Sequence, residues 1–290
     1  MIAVVDYQKG NLLSVQRGLA AVGGQAVVTS DPAEIAAANA IVLPGVGAFA
    51  DAAATMRELG QMDVIRDRVL AGVPFLGICL GMHLMFEHGV EGSPAERVAL
   101  AAASGDAAGA AGAAGAAGAA AGAAGADALV AAAGAEYAQG LGLLPGLVAA
   151  LPREDAQGNA YKIPHVGWNC CQITPPFVNN LPPATNPAAS EQQPVSSSHI
   201  SARSSAVASV AAPAKSALFD GIPEGEYFFF THSYVSPASA ATIATTTHSI
   251  TFPCAVQVGQ HAFGVQFHPE KSSDAGLVLL RNFVTIAQEA

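Results

Sequence analysis

Basic residues are scarce in this chain. Twelve lysines and arginines against twenty-two acids leave a net charge of −10 at pH 7. That balance excludes nucleic acid or an anionic membrane as the main partner, since both select a basic footprint. Cysteine is sparse too: Cys79, Cys170, Cys171 and Cys254 have neither zinc-site spacing nor the framework of a secreted disulfide scaffold, which points to a reducing compartment. Tryptophan occurs once, as Trp168. Long apolar runs are missing except for 107–126, which is alanine and glycine with no large aliphatic residue and so is unfit to span a bilayer. The N-terminal residues enter an apolar strand pattern at once, with no basic n-region and no Arg/Ser-rich amphipathic stretch, so no targeting peptide is expected.

What is present is a regular alternation over residues 1–92. A strand at 2–5 precedes a helix at 11–22, in which Leu12, Val15, Leu19 and Val22 recur at helical spacing before Gly23-Gly24 stops it. A second strand at 26–29 leads to Ser30-Asp31-Pro32, an N-cap followed by proline at the first helical position. A third strand at 40–43 ends in Pro44-Gly45-Val46-Gly47, two helices run through Met56 and Val69, and an apolar run at 73–78 makes a fourth strand. Strand–helix units of this length predict a parallel sheet covered on both faces, with ligands bound at the carboxyl edge of its strands. After residue 140, short β-rich segments at 142–151, 162–173, 226–234, 241–247, 254–258 and 261–266 predict antiparallel strands added to that sheet. A last helix is expected over 273–287.

Two stretches interrupt the order of a single domain spanning 1–290. Residues 93–139 are dominated by alanine and glycine, with no proline to support a collagen repeat, and read as a flexible insertion. Residues 175–215, rich in Pro, Ser and Ala, read as a second loop insertion, either a lid or decoration.

The chain's chemistry centres on Gly77-Ile78-Cys79-Leu80-Gly81. An apolar strand ends on cysteine and a helix-like pattern begins at Leu80, extending to Glu87, so the chain must turn within about one residue. A nucleophile on such an elbow has strained backbone, and its neighbours two residues away must be small. The following helix turns its positive end toward the thiol, which favours thiolate. Read alone, Cys79 is a buried small hydrophobe, and only the two glycines together with partners elsewhere in the chain overturn that. A cysteine nucleophile also needs a base and a group to orient that base. Phe267-His268-Pro269-Glu270, directly after a strand, offers both, because the stiff turn lets the Glu270 carboxylate hold the His268 Nδ1. Read alone, His-Pro-Glu is a surface turn.

Together Gly77 to Met82, Leu43-Pro-Gly-Val-Gly47, Pro164-His-Val-Gly-Trp-Asn169, His232-Ser-Tyr234 and Gly264 to Ser272 resemble the class I glutamine amidotransferases. Within them they resemble the glutaminase subunits of imidazole glycerol phosphate synthases. The resemblance implies a flavodoxin-like α/β fold, three-layered and mostly parallel, with added antiparallel strands. It implies a Cys79–His268–Glu270 triad that hydrolyses glutamine through a thioester, and an oxyanion hole from Leu80 and the Val46–Gly47 turn. The turn's glycines allow that hole to form only with an active partner. Substrate glutamine would contact Gly45, His83, Ser233 and Tyr234. His83 stands where the family usually has glutamine; it either makes one hydrogen bond to substrate or packs on its own helix.

Asn11, Trp168, Asn169 and Lys271 resemble residues facing a (β/α)₈ synthase, with core packing as the alternative for Trp168. No cofactor is implied. His165, His199, His232, His248 and His261 lack a metal-ligand pattern, so no metal is expected. The expected location is the cytoplasm, or a plastid in a plant or alga. A different ammonia acceptor, a non-catalytic remnant and a fused glutaminase–synthase chain remain as alternatives.

Overall fold

The computed structural model describes residues 1–97, 136–173 and 215–290. An eight-stranded sheet runs in the order β2-β1-β3-β4-β14-β13-β12-β9. Strands β1 (Ile2–Val5), β2 (Ala26–Thr29), β3 (Ala40–Gly45), β4 (Phe75–Cys79) and β14 (Ala262–Val265) are mutually parallel. β13 (Thr251–Val258), β12 (Thr242–Thr247) and β9 (Gln172–Ile173) continue the sheet antiparallel. β1, β3, β4 and β14 are buried on both faces, which is why they read as continuous apolar runs, while the edge strand β2 is only partly covered.

Val4 and Val42 face one core with α1 (Leu12–Ala21) and α6 (Ser273–Glu289); Ala3, Val5 and Leu43 face the other, with α2 (Pro32–Ala37), α3 (Phe49–Glu58) and α4 (Gln61–Leu70). This is the expected three-layer α/β arrangement. The expected start of α2 is also found: Asp31 accepts a hydrogen bond from Ala33 N–H at 2.8 Å, and Pro32 occupies the first turn.

Not all later strands join the main sheet. β5 (Phe86–Gly89), β6 (Ala138–Gln139), β7 (Leu144–Ala150) and β11 (Tyr234–Val235) form a second sheet, and β8 (His165–Cys170) pairs with β10 (Tyr227–His232) as a separate ribbon.

The helix expected from Leu80 to Glu87 is short. α5 covers only Leu80–His83, and the chain re-extends into β5. Backbone from far along the chain captures it there: Leu141 N–H bonds Leu84 O at 2.7 Å, and Leu143 and Leu144 N–H both reach Met85 O. Local periodicity cannot announce that competition.

The first insertion is narrower than its composition suggests. Ser93 and Ala95 are buried, Ala138–Gln139 is strand β6, and Ala95 N–H meets Glu136 O at 3.4 Å. Residues 98–135 and 174–214, to which the expected flexibility and looping refer, lie outside the described residues. Among the described residues no helix is long and apolar enough to cross a membrane.

Candidate active site

Cys79 closes β4 at φ +54° and ψ −107°, a positive-φ conformation that residues other than glycine rarely adopt, and α5 begins at the next residue. The flanking glycines are required by space. A Cβ on Gly77 would lie 2.5 Å from Gly81 O, and a Cβ on Gly81 would lie 1.8 Å from Leu43 O. Both obstacles are backbone. The elbow therefore tolerates glycine alone at its two shoulders, as the sequence implies.

Registry brings the second half of the site alongside. β14 pairs parallel with β4, Gly264 against Gly77 and Val265 against Ile78, so the chain leaving β14 passes Cys79. His268 is fixed there by its N–H to Phe229 O at 2.9 Å and by Ser272 Oγ–H to its own carbonyl at 2.6 Å. Its Nδ1 meets Glu270 Oε1 at 2.9 Å, with the side chains 3 % and 1 % exposed. Nε2 is buried and has no well-formed hydrogen bond. Burial lowers the His268 pKa, but Cys79 and Glu270 outweigh it and push the value up to about 9. A protonated imidazole thus faces the thiol.

Cys79 borders a cavity of about 310 Å³, while His268 and Glu270 are not among the residues that line it. Val46, Gly47, Cys79 and Leu80 form one wall, and His83, Ser233 and Tyr234 also line it. Gly47 has φ +99°, a conformation open to glycine. Leu80 is the first residue of α5, so its N–H is one of the helix's orphan donors.

Gly45 does not line the cavity. It pairs with Cys79 across β3 and β4, and a Cβ there would strike the Tyr7 hydroxyl at 2.4 Å and Leu80 Cβ at 2.8 Å, so its role is close packing behind the nucleophile. His83 neither faces substrate alone nor packs idly: Nε2 meets Gln266 Oε1 at 2.6 Å. Burial holds its pKa down at about 4, partly offset by that contact, so the ring is neutral.

Of the residues expected to face a partner, Trp168 is 51 % exposed and stands edge-to-face against Phe229. Lys271 is exposed, and Asn11 is half-buried at the start of α1. Asn169 is half-buried: its Nδ2–H donates to Thr247 O at 2.9 Å and its Oδ1 accepts from Cys170 N–H at 2.9 Å. The amide is spent on holding β8 to β12.

Several neighbours were not foreseen. Glu91 lines the cavity, with its carboxyl pushed up to about 7 by burial first; the Phe49 N–H opposes this, and Glu96 and Asp51 add to it. Glu91 sits at the edge of the low-complexity tract, where no spacing marks it. Pro164, Thr231 and His232 line the other side. His232 Nε2 pairs with His165 Nδ1 at 3.0 Å, and burial lowers both, to about 3 and about 4. The buried Tyr7 hydroxyl is pushed upward by burial and by Cys79, against the Val46 N–H. Among the described residues no group of three or more His, Cys, Asp or Glu is placed to hold a metal ion.

Comparison with known proteins gives the same outline. The family model described as glutamine amidotransferase class-I matches residues 3–287. Imidazole glycerol phosphate synthase subunit HisH of Moorella thermoacetica is 35 % identical, covering 100 % of this chain and 96 % of that protein. The HisH subunit of Chloroflexus aurantiacus is 33 % identical, over 98 % and 95 %. A solved glutamine amidotransferase shares the fold, with TM-score 0.55 at 15 % identity over 99 % of this chain and 100 % of that one. With its strand-ending cysteine, its parallel sheet and a family match along nearly its whole length, this chain belongs to the class I glutamine amidotransferases.

Proposed function

We propose that this chain is the glutaminase subunit of an imidazole glycerol phosphate synthase, hydrolysing glutamine to glutamate and passing ammonia to a (β/α)₈ synthase. The full-length likeness to HisH subunits supports the acceptor. The observation that carries the chemistry is the Cys79–His268–Glu270 arrangement across neighbouring parallel strands.

In this reading the Cys79 sulfur attacks the carboxamide carbon of glutamine, and the carbonyl π electrons move to oxygen. Leu80 N–H and a donor from the Val46–Gly47 turn receive the oxyanion, each worth about 10²–10³ in rate. His268 Nε2 gives its proton to the departing nitrogen, and ammonia leaves a γ-glutamyl thioester. Water, deprotonated by the same Nε2, then releases glutamate and restores the thiol. Glu270 keeps Nδ1 occupied so that Nε2 alone handles protons. Glu91 and the Ser233–Tyr234 backbone suit the α-amino acid end of glutamine, Glu91 being a carboxylate in the cavity wall.

The β8–β10 ribbon supports a docking face: Val166, Trp168 and Tyr227 are 59, 51 and 55 % exposed, an apolar strip of the kind that marks an interface. Lys271, next to Glu270, would extend that interface toward the site. Four cysteines without a disulfide fit a reducing cytoplasm.

The test is glutamate and ammonia release with and without a (β/α)₈ synthase and its nucleotide, together with rescue of a histidine auxotroph lacking only the glutaminase. The wild type should be active with the partner and Cys79→Ala inactive. Ammonia release by Cys79→Ala would refute the assignment, and failed rescue by an active enzyme would refute the acceptor.

A further inference from the structure

Gln266 lies between the two halves of the site and is fully buried, yet the hydrolysis outlined above gives it no task. It follows β14 directly, so the parallel register that sets Val265 beside Ile78 sets Gln266 beside Cys79.

Gln266 Nε2 is 3.8 Å from Cys79 Sγ, and Gln266 Oε1 is 2.6 Å from His83 Nε2. Its backbone N–H is held by Cys254 O at 2.9 Å, so the side chain starts from a fixed point.

The donor and acceptor roles along this line are determined by chemistry. A thiolate can only accept, so the amide end facing it is the NH₂, and the carbonyl end is left for His83. The carbonyl can only accept in turn, so His83 Nε2 carries the ring proton. In a neutral imidazole His83 Nδ1 is then a bare acceptor, and it belongs to a ring that lines the cavity. The usual family glutamine at position 83 could rotate its amide; histidine with one nitrogen committed cannot.

We propose that Gln266 is a positioning residue for the nucleophile: it donates its Nε2–H to the Cys79 sulfur in the thiolate state, and His83 locks its amide in that orientation. The proposal rests on Cys79 being the nucleophile. Around the sulfur, the ionisable groups are His268 with Glu270 behind it, Tyr7 from the loop after β1, and His83 from α5; His232 of β10 and Glu91 line the same cavity. Gln266 is the uncharged donor among them. It therefore favours the anion without competing for the proton that His268 must deliver.

The test reads the thiol directly and needs neither glutamine nor partner. Iodoacetamide alkylation of Cys79 is followed by mass spectrometry from pH 5 to 10, with thermal unfolding as the check on folding. Mass spectrometry separates the Cys79 peptide from those carrying the half-buried Cys170 and the buried Cys171 and Cys254, and Cys79→Ala gives the background. In Gln266→Leu the alkylation profile should move to higher pH by about one unit, so that below its midpoint the variant reacts several-fold more slowly. His83→Leu should move it the same way, because the freed amide can turn over, and His83→Gln, which restores an N–H for Oε1, should return it toward wild type. Should Gln266→Leu fail to fold, the near-isosteric Gln266→Glu replaces it and should shift the profile at least as far, having lost the donor and gained a negative charge.

Folded variants with the wild-type profile would overturn the proposal. The outcome is separable from the glutaminase reading: a displaced profile in a protein that releases no ammonia would sink that reading and keep this one, and an unmoved profile in an active glutaminase would do the reverse.

Discussion

His268 and Glu270 are paired across 2.9 Å with both side chains closed to solvent, so the imidazole is held in one orientation by its own carboxylate. The pair is short and dry, and Cys79 adds to it. This trio has a thermodynamic signature as well as a chemical one.

The folded His268 value of about 9 lies above the unfolded histidine value of about 6.5. The imidazolium therefore contributes stability that is complete below pH 6.5 and is lost as pH rises through about 9. Urea midpoints for the wild type should fall across that window, and Glu270→Gln should flatten the fall. A wild-type midpoint constant from pH 6.5 to 9 would contradict the pairing.

At the acid end the sign reverses. His83, His165 and His232 are held neutral, with values near 4, 4 and 3. Their unfolded forms take up protons at about pH 6.5 while the folded forms do not, so stability present above 6.5 is lost as pH falls toward 4. His232→Gln should be less acid-sensitive than the wild type in urea titrations at pH 6.5 and 4.5. Equal losses in the two proteins would remove His232 from the account.

Gly81→Ala puts a methyl 1.8 Å from Leu43 O, and neither backbone can yield without breaking the β3–β4 pairing. The expected cost is more than about 3 kcal/mol. It should appear as insoluble expression or as a large fall in urea midpoint. A variant within about 1 kcal/mol of wild type would mean that the elbow rearranges freely.

Trp168→Ala should leave the fold alone, because the ring is half exposed, with a stability change within about 0.5 kcal/mol. On the docking face proposed above, binding to a (β/α)₈ synthase should weaken by about 2 kcal/mol or more, roughly thirtyfold, as expected of a central aromatic anchor. Titration calorimetry against the synthase measures both the loss and its absence.

How much of this was legible beforehand divides along a physical line. Strands β1 to β4 and helices α1 to α4 follow from apolar periodicity and from caps such as Asp31-Pro32, because those signals are local. The Gly77 and Gly81 shoulders were legible for the same reason, since tight-turn sterics act over a few residues. What could not be read depends on distant backbone. α5 stops at His83 because residues 141–144 take the carbonyls of Leu84, Met85 and Phe86 that would carry it on, and the Asn169 amide is tied to Thr247 O, a residue 78 positions away. Gly45 sits in the expected segment but is filled by Tyr7 and Leu80 from behind. Glu91 and Gln266 carry no pattern of their own; the fold alone gives them neighbours.

The hydrogen bond from Ala95 N–H to Glu136 O has a bearing on how this chain can vary in length. The two ends of segment 98–135 leave and rejoin the domain at a single gate, bolted by that bond and by β6 against β5. Closing a longer loop between these two ends costs only about 0.6 kcal/mol per doubling. Relatives could gain or shed dozens of residues at this point while Cys79, seven residues before β5 begins, keeps its place.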